Sequence, residues 1–272
     1  MREYLERVRQ EAPLIHNITN YVTANDVANI LLACGASPIM ADEALEVEEI
    51  TALCGGVAIN IGTLGEKKAV SMEKAGVRAN QLEHKVLLDP VGVGASEFRR
   101  KTAERLLAKI QFTAIRGNMS ELKTLAYGIG STRGVDADGQ DSMTEENLPN
   151  RIAFAKSCAK KWNCIVAITG AADLITDGEC CYVCYNGRAE MSKVTGTGCQ
   201  LSGLMSAYLT ANREKPLEAA AAAVCAMGLA GELAWENMQK GDGNATYRNR
   251  IIDAIYNMDG ETLERGARYE IR

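Results

Sequence analysis

The chain has 272 residues, of which 47% are hydrophobic and 24% charged, a composition typical of a globular protein that can bury a large core. Because α/β folds of this length often form one undivided unit, we expect a single domain over residues 1–272. The formal net charge of −5 provides no chain-wide basic surface for a nucleic acid backbone, which argues against a nucleic acid partner.

Nine cysteines raise the question of disulfide bonds, but the first residues are charged and lack the apolar core of a secretory signal. We therefore expect reduced thiols and a cytoplasmic protein. Cys181 and Cys184 have the spacing of a metal-binding pair, but no second pair lies at zinc-finger distance, so a structural strand is favoured. The longest apolar run, residues 217–233, is interrupted at positions that include Glu218, Gly228 and Gly231, which indicates a buried helix rather than a membrane span.

Short apolar segments alternate with amphipathic segments of helix length as far as residue 169, the pattern of βα units around a mainly parallel sheet. The predicted strands are, in chain order, Ser37–Met40, Gly56–Asn60, Val86–Asp89, Ala114–Arg116 and Ile165–Thr169. Most of them end in a polar residue that is followed closely by glycine or proline. Since ligands of open α/β sheets bind beyond the carboxyl ends of the strands, we expect these polar residues to face one crevice.

After Thr169 the pattern changes to that of antiparallel strands. The predicted elements are strands at Leu174–Thr176 and Cys181–Tyr185, with turns at Asp177-Gly178 and Asn186-Gly187. We expect these strands to form an edge of the sheet and to lead into a glycine turn at Gly196. From Cys199 onward the sequence predicts mostly helix, and no internal repeat or linker suggests a domain boundary.

Residues 193–203, Lys-Val-Thr-Gly-Thr-Gly-Cys-Gln-Leu-Ser-Gly, place a thiol on a glycine-rich turn that opens into an apolar helix. Gly196 and Gly198 allow the backbone to approach a ligand closely, and the unpaired N–H groups of the first helical turn favour an anion. A thiol at Cys199 should ionise more readily there than a free thiol. The alternative is a loop leading into a core helix with a buried cysteine, and this segment alone does not decide between the two.

Four residues at or near predicted strand ends have the chemistry of a nucleotide phosphate site. Asp89 and Glu121 carry the carboxylate oxygens that Mg²⁺ prefers, and a nucleotide would complete that site. Arg116 can bind a phosphate through two hydrogen bonds, and Thr169 can donate another. Each also has an ordinary structural alternative: turn aspartate, helix N-terminal carboxylate, surface ion-pair partner or strand-favouring threonine. Their joint appearance favours phosphoryl transfer.

The chain resembles the hydroxyethylthiazole kinase family of the ribokinase-like superfamily over nearly its whole length. Seven motifs carry the resemblance: Pro13–Asn20, Gly35–Met40, Asn60–Leu64, Leu88–Gly92, Ile115–Asn118 with Glu121, Ile168–Gly170 and Val194–Cys199. The resemblance implies a three-layer α/β fold of ribokinase-like type, with a mainly parallel central sheet, helices on both faces and an antiparallel edge.

The resemblance also implies the reaction, in which ATP, with Mg²⁺ as cofactor, phosphorylates the primary hydroxyl of 4-methyl-5-(2-hydroxyethyl)thiazole in thiamin biosynthesis or salvage. It implies a homotrimer whose substrate site lies near a subunit interface. The residues it assigns to the thiazole are Met40 and Gly196, with Asn20 and Asn60 as weaker candidates, and those it assigns to ATP are Arg116, Thr169 and Asn118. A polarizable methionine side chain suits a flat sulfur-containing ring.

Cys199 stands where ribokinase-like enzymes generally have an aspartate base, and the resemblance implies that cysteine is usual there in this family. A thiol with an ordinary pKa of about 8.5 is a poor base at neutral pH, and a thiolate beside ATP phosphates is electrostatically disfavoured. We therefore hypothesise that the catalytic turn formed by Gly196, Gly198 and Cys199 acts mainly through N–H donors to the transferring phosphoryl group, with proton removal secondary.

Two other segments bear on the interpretation. Family members have Gly-Pro-Gly-Ser-Phe near the C-terminus, where residues 241–247 of this chain read Gly-Asp-Gly-Asn-Ala-Thr-Tyr. This departure bears on the local loop and on nucleotide affinity, but not on the phosphate or thiazole motifs. Residues 138–147 are predicted to form a mobile polar surface loop.

Two alternative functions stay open. A hydroxymethylpyrimidine kinase would share the fold and the glycine turn, although the motifs at 16–20 and at Met40 favour the thiazole. A hydrolase with a cysteine nucleophile would need a base beside Cys199, and the chain has only two histidines, His16 and His84. We expect His84 to be exposed and His16 to be a structural hydrogen-bonding group.

Overall fold

The computed structural model describes residues 1–128 and 147–272, in which nine strands form one sheet. The strands are β1 (Leu14–Ile18), β2 (Ser37–Ile39), β3 (Gly56–Asn60), β4 (Lys85–Asp89), β5 (Ala114–Asn118), β6 (Ile165–Thr169), β7 (Asp173–Thr176), β8 (Cys181–Cys184) and β9 (Tyr269–Ile271). The helices are α1 (Arg2–Glu11), α2 (Ala24–Cys34), α3 (Val47–Leu53), α4 (Glu66–Gln81), α5 (Glu97–Lys109), α6 (Met119–Tyr127), α7 (Leu148–Trp162), α8 (Thr197–Ala211), α9 (Pro216–Glu236), α10 (Asn244–Asn257) and α11 (Gly260–Gly266).

The strand order across the sheet is β2-β1-β3-β4-β5-β6-β7-β8-β9, parallel from β2 to β6 and antiparallel from β6 to β9. Helices α3 to α7 cover one face, and α1, α2 and α8 to α11 cover the other. This three-layer arrangement confirms the predicted fold class. The register places Asn60 beside Asp89 and Asn118 beside Thr169, so residues at the carboxyl ends of neighbouring strands meet at one edge of the sheet.

An apolar core on each face of the sheet holds the three layers together. Leu204 and Met205 of α8 are fully buried on one face, and Met72 of α4 and Leu122 of α6 are fully buried on the other. Burying a side chain of this size stabilises the fold by about 1.5–3 kcal/mol. The position of α8 against the strands is therefore fixed by packing along its whole length, and its first turn is held at the carboxyl edge of the sheet.

All five predicted parallel strands are present, with small differences at their ends. β2 ends one residue early at Ile39, β4 begins at Lys85, and β5 continues to Asn118. The strand β1 was not predicted. It contains the polar residues His16 and Asn17, which are buried and therefore interrupt the apolar pattern of a central strand.

The predicted antiparallel edge is present, and it contains one further strand, β9, which pairs with β8 and was not predicted. β8 also ends at Cys184, before the predicted Tyr185. The predicted turn at Asn186-Gly187 does not connect two strands. Asn186 instead accepts a hydrogen bond from Arg268 N at 2.7 Å and donates one to Gly266 O at 2.9 Å, which fixes the C-terminal segment beside it.

Within the described part of the chain, α9 is the one helix long and apolar enough, by length and composition alone, to cross a membrane. However, 83% of its apolar stretch is buried inside the fold, where it packs between α8 and α10. This confirms the predicted buried helix over residues 217–233. The polar loop predicted at 138–147 lies, apart from Asn147, outside the described residues.

Candidate active site

Gly196 is the N-cap of α8, and its φ of +86° lies in the left-handed region that favours glycine. A side chain at this position would also collide with Thr23, because an added Cβ would overlap its Cγ2 methyl group. The first turn is regular, with Gln200 N donating to Gly196 O at 2.8 Å. The expected glycine turn is thus present, and the N–H groups at the start of α8 lack partners within the helix.

Arg116, in β5, reaches across the end of the sheet to this first turn. A Cβ at Gly198 would lie 2.5 Å from Nη1 and 2.8 Å from Nη2 of Arg116, so only glycine leaves room for the guanidinium group. Nη2 donates a 2.6 Å hydrogen bond to Thr169 Oγ1, and Nη1 lies 3.7 Å from Asp89 Oδ1. The structure therefore brings together four predicted site residues from β4, β5, β6 and α8 around one largely buried positive charge.

The thiol of Cys199 is enclosed by two asparagines. The side-chain amides of Asn20 and Asn60 donate to Sγ at 3.1 and 3.2 Å. Burial raises the pKa of the Cys199 thiol and the Asp89 carboxylate raises it further, while hydrogen bonds from Thr23 and Asn60 and the charge of Arg116 oppose the rise. The prediction of a readily ionised thiol was wrong, because burial and the Asp89 carboxylate raise the pKa of the thiol.

Asn20 and Asn60 use their amide groups within this cluster. Asn20 Nδ2 also donates to Asn60 Oδ1 at 3.1 Å, and Asn20 Oδ1 accepts from N and Oγ1 of Thr23. Asn60 Nδ2 also donates to Asp89 Oδ2 at 2.7 Å, and its Oδ1 accepts from Gly62 N at 2.9 Å. With the bonds to sulfur, both N–H groups and both lone pairs of each amide are engaged. A direct contact with the thiazole would require one of these bonds to be exchanged, and that role stays a prediction.

Asp89 is fully buried at the end of β4. Its Oδ2 accepts from Asn60 Nδ2 and, at 2.8 Å, from Ser202 Oγ, whereas its Oδ1 has no hydrogen-bond partner among the described residues. Burial raises the pKa of Asp89 to about 7 against the opposing charge of Arg116, and Glu121 adds to the rise. A buried carboxylate with one open oxygen suits a cation. Ser202 was not predicted, although its position one turn after Cys199 puts both on one face of α8.

Glu121 forms a capping box with Asn118 at the start of α6. Its Oε2 accepts from Asn118 N and its Oε1 from Gly92 N, both at 2.9 Å, while Asn118 Oδ1 accepts from Glu121 N at 2.8 Å. Each carboxylate oxygen keeps one lone pair. In residues 1–128 and 147–272, no group of three or more histidine, cysteine, aspartate or glutamate side chains could hold a metal ion. The residues therefore fit a Mg²⁺ ion whose other ligands are water and phosphate oxygens. Asp89, through its open Oδ1, would be the carboxylate ligand.

A cavity of about 650 Å³ opens beside Arg116 and Gly198. Its volume lies within the range of about 300–1,000 Å³ that is usual for small-molecule sites. The lining includes Arg116, Thr169, Gly170 and Gly198, and its apolar residues include Met191, Leu201, Val224 and Met227. Arg151 and Asp173 also line the cavity. The residues of α9 were not predicted individually, because an alanine-rich helix offers many equivalent positions in sequence.

Neither histidine can act as a base for Cys199. His16 is buried, and its two ring nitrogens are bonded to a threonine hydroxyl at 2.9 Å and a backbone carbonyl at 2.8 Å, which confirms its structural role. His84 precedes β4 and lies at the amino ends of the strands, beside a separate depression of about 500 Å³. It is half-buried rather than exposed, and its backbone N–H donates to Ala79 O at 2.9 Å at the end of α4. The hydrolase alternative therefore has no support.

Met40 lies apart from the cavity, directly after β2. Met40 is 40% exposed. Tyr21, in the segment after β1, is 78% exposed, and Leu45, in the segment after β2, is 89% exposed. The structure of one chain thus places Met40 on an apolar surface at the carboxyl edge of the sheet. It does not bring Met40 into the cluster around Cys199.

The segment 241–247 comprises the end of the connection between α9 and α10 and the first turn of α10. Gly243 precedes the first turn of α10, and Tyr247 is buried with its hydroxyl donating to Gly231 O at 2.9 Å. Among the described residues that line the 650 Å³ cavity, none belongs to this segment. Its connection to the site is indirect: Asn244 Nδ2 donates to Lys193 O at 3.4 Å, ahead of the glycine turn.

Comparison with known proteins places these features in a family. The family model described as the hydroxyethylthiazole kinase family matches residues 5–261. A hydroxyethylthiazole kinase of Clostridium acetobutylicum is 58% identical over 270 residues, which cover 99% of each chain. The structure of a hydroxyethylthiazole kinase protein from Pyrococcus horikoshii superposes with a TM-score of 0.88 at 34% identity, covering 100% of this chain and 98% of that one. A pyridoxal kinase from Staphylococcus aureus, solved with AMP-PCP and pyridoxal, shares the fold, with a TM-score of 0.60 at 14% identity over 96% of this chain and 98% of that one.

Proposed function

The chain belongs to the hydroxyethylthiazole kinase family, and from this premise we propose that it transfers the γ-phosphoryl group of ATP to the primary hydroxyl of hydroxyethylthiazole. The proposal depends on the position of Arg116 against Gly198. There a buried guanidinium and the unpaired N–H groups of the first turn of α8 face the same cavity. Such a site stabilises the charge of a transferring phosphoryl group, and phosphoryl transfer depends mainly on positioning and charge.

Arg116 and Thr169 bind the phosphates in this proposal. The hydrogen bond from Arg116 to Thr169 holds the guanidinium plane, and the remaining N–H groups of the guanidinium can donate to phosphate oxygens in pairs. Thr197 and Gly198 line the cavity and offer backbone N–H groups at the start of α8. Met191, Val224 and Met227 would contact the adenine base. Asn118 caps α6, so it would affect ATP binding indirectly, by holding the backbone at the start of that helix.

Asp89 is the residue that would hold Mg²⁺, through its open Oδ1, and Glu121 would contact the ion through water. Mg²⁺ bound with the nucleotide neutralises the charge of the phosphates. The protein's own contribution is orientation, since Asn60 and Ser202 engage Oδ2 and so fix which oxygen of Asp89 is open.

Cys199 contributes its position in the turn more than its acidity. Because burial raises the pKa of its thiol, the side chain stays protonated at neutral pH and is a poor base. Gly196 and Gly198 shape the turn around it. The hydroxyl proton of the acceptor alcohol leaves late in a loose phosphoryl transfer, so a strong base is not required.

We further propose a cytoplasmic homotrimer in which the acceptor site lies near a subunit interface. The exposed apolar side chains of Tyr21, Met40 and Leu45 support this arrangement, since they lie in segments that follow neighbouring strands and would be covered by another copy of the chain. Light scattering measures the mass in solution. In Met40→Ala the KM for the thiazole should rise with the KM for ATP unchanged, because Met40 lies away from the nucleotide cavity.

The deciding experiment is an ADP-release assay with ATP and Mg²⁺ in three arms: hydroxyethylthiazole, hydroxymethylpyrimidine and no alcohol. Turnover confined to the thiazole arm, with the phosphorylated product identified by mass spectrometry, supports the proposal. Turnover confined to the pyrimidine arm makes the chain a kinase of the other alcohol. Arg116→Met, which keeps the length of the side chain and removes its charge, should abolish most of the turnover while the protein remains folded.

A further inference from the structure

Arg99, on α5, forms hydrogen bonds to two backbone segments beside the site. Its Nη1 donates to Ile61 O at 2.7 Å and to Val91 O at 2.8 Å, and its Nη2 donates to Gly62 O at 2.7 Å. The residues Ile61 and Gly62 directly follow β3, and Val91 follows β4 by two residues. One half-buried guanidinium therefore bonds to three backbone carbonyls from two strand ends.

The segment after β3 determines where the amide of Asn60 points. Gly62 N donates to Asn60 Oδ1 at 2.9 Å, which orients Asn60 Nδ2 toward Cys199 Sγ at 3.2 Å and Asp89 Oδ2 at 2.7 Å. Arg99 Nη1 binds the carbonyl of Ile61, which belongs to the same peptide group as Gly62 N, so Arg99 fixes the peptide that orients Asn60. A change at Arg99 should therefore reach Cys199 and Asp89 without touching either.

The segment after β4 is held in the same way. Gly92 has a φ of +63°, and a Cβ on it would lie 3.5 Å from Arg99 Nη1, so the turn is closed directly over the guanidinium. Gly92 N donates to Glu121 Oε1 at 2.9 Å. Arg99 thus supports the peptides on which both predicted carboxylates of the site depend.

The chemistry of this contact requires arginine. In the part of the chain that the structure describes, no carboxylate forms an ion pair with Arg99, and the charge is instead satisfied by carbonyl oxygens. A guanidinium donates from two terminal nitrogens in a fixed plane, so it can bridge two separate backbone segments. A lysine could bind one or two of these carbonyls, but its single nitrogen cannot keep both segments in register.

We infer that Arg99 is a positioning residue that sets the spacing between the segments after β3 and β4, and thereby the alignment of Asn60, Cys199 and Asp89 for phosphoryl transfer. The inference rests on the proposed kinase function. The proposed phosphate contacts depend on Arg116, Thr169 and Gly198, whereas the hydrogen bonds of the Arg99 guanidinium go to Ile61, Gly62 and Val91. Loss of Arg99 should therefore lower kcat and leave nucleotide binding largely intact.

The test compares Arg99→Met and Arg99→Lys with Arg100→Met as matched control. Arg100 is the next residue of α5 and pairs with Glu104 on the protein surface, so its replacement removes an arginine from the same helix without touching the site. In Arg99→Met, kcat should fall about 10- to 100-fold, the loss expected from a misplacement of about 1 Å in a reacting group. In Arg99→Lys the loss should be smaller, and in Arg100→Met kcat should not change. The Kd of a non-hydrolysable ATP analogue should stay within about threefold in all variants.

Hydrogen exchange of the backbone amides at 61–62 and 91–92 gives a second readout that does not depend on activity. Exchange at both segments should be faster in Arg99→Met than in wild type or Arg100→Met. Unchanged exchange, or unchanged kcat with faster exchange, overturns the inference, as does an equal loss of kcat and analogue binding. If wild type phosphorylates neither alcohol, the proposed function has failed, and the exchange data alone decide whether Arg99 holds the two segments. If Arg99→Met does not fold, Arg99→Lys decides by the same measurements.

Discussion

Gly198→Ala should separate catalysis from folding in this protein. The added Cβ would lie 2.5 Å from Nη1 and 2.8 Å from Nη2 of Arg116, well inside van der Waals contact, so the guanidinium must move. It is the far end of a flexible side chain, and the backbone of α8 need not shift. The substitution should therefore displace Arg116 from Thr169 and from the phosphate end of the cavity without disturbing the core.

The expected magnitude follows from the bonds that Arg116 would lose. A hydrogen bond to a charged partner contributes about 1.5–3 kcal/mol, which corresponds to about a 10- to 150-fold change in kcat/KM for one phosphate contact. The free energy of unfolding should rise slightly or stay nearly unchanged. Alanine is favoured over glycine within helices by up to about 1 kcal/mol, which offsets the cost of moving Arg116.

Steady-state kinetics with varied ATP and a thermal melt measure the two effects on the same sample. Gly65→Ala is the matched control: Gly65 is the N-cap of α4, its φ of −141° suits alanine, and a Cβ there meets nothing within 4 Å. We expect kcat/KM for ATP to fall at least about tenfold in Gly198→Ala and to stay unchanged in the control. A Gly198→Ala protein with wild-type kcat/KM would refute the assignment of Arg116 to the phosphates. A protein that loses activity only because it unfolds would show a lowered melting temperature.

Three further outcomes follow from the same contacts. Cys199→Ala should keep measurable turnover and Cys199→Asp should be tolerated or faster; loss of all turnover in both would contradict the role given to the turn. Glu121→Gln should destabilise the protein by about 1–3 kcal/mol in urea unfolding, since one of its two backbone N–H partners then faces an NH₂ group. Burial lowers the pKa of His16, so the unfolded chain binds its proton more readily and stability is lost as pH falls through the ordinary value of about 6.5. The stability advantage of wild type over His16→Gln should therefore shrink between about pH 7.5 and pH 5.5, and an advantage independent of pH would exclude a buried neutral ring.

The parallel strands could be predicted from sequence because their signal is local. β3 and β6 are continuous apolar runs that stop at a polar residue, and their bounds agree with the prediction at both ends. β1 has no such signal, because the partners that satisfy His16 lie far away at Ala41 and Thr51. β9 is three residues long, and helices α8 to α11 separate it in the chain from its partner β8. Only the folded structure therefore identifies it.

The candidate site shows the same division. The rule that ligands bind beyond the carboxyl ends of parallel strands was enough to expect Asp89, Arg116 and Thr169 near one another. Which oxygen of Asp89 is open, and that Asn20 and Asn60 have no free hydrogen-bonding groups, depends on contacts between residues far apart in the chain. The ionisation of Cys199 was misjudged for a related reason, since its burial is a property of the packed fold rather than of the turn.

A buried aspartate with an unpartnered oxygen is costly for folding, and its surroundings show how this chain tolerates it. Asn60 and Ser202 satisfy Oδ2, while Arg116, at 3.7 Å from Oδ1, partly balances the charge without bonding to it. If Arg116 were bonded closely to Asp89, both would be neutralised in the free protein and less available to ligands. The glycine at 198 lets the guanidinium lie between Thr169 and α8 instead, so the positive and negative groups stay 3.7 Å apart. The sequence pattern thus brings Asp89 and Arg116 to neighbouring strand ends, while the separation that would keep both available to cation and phosphate depends on the contact of Arg116 with Gly198.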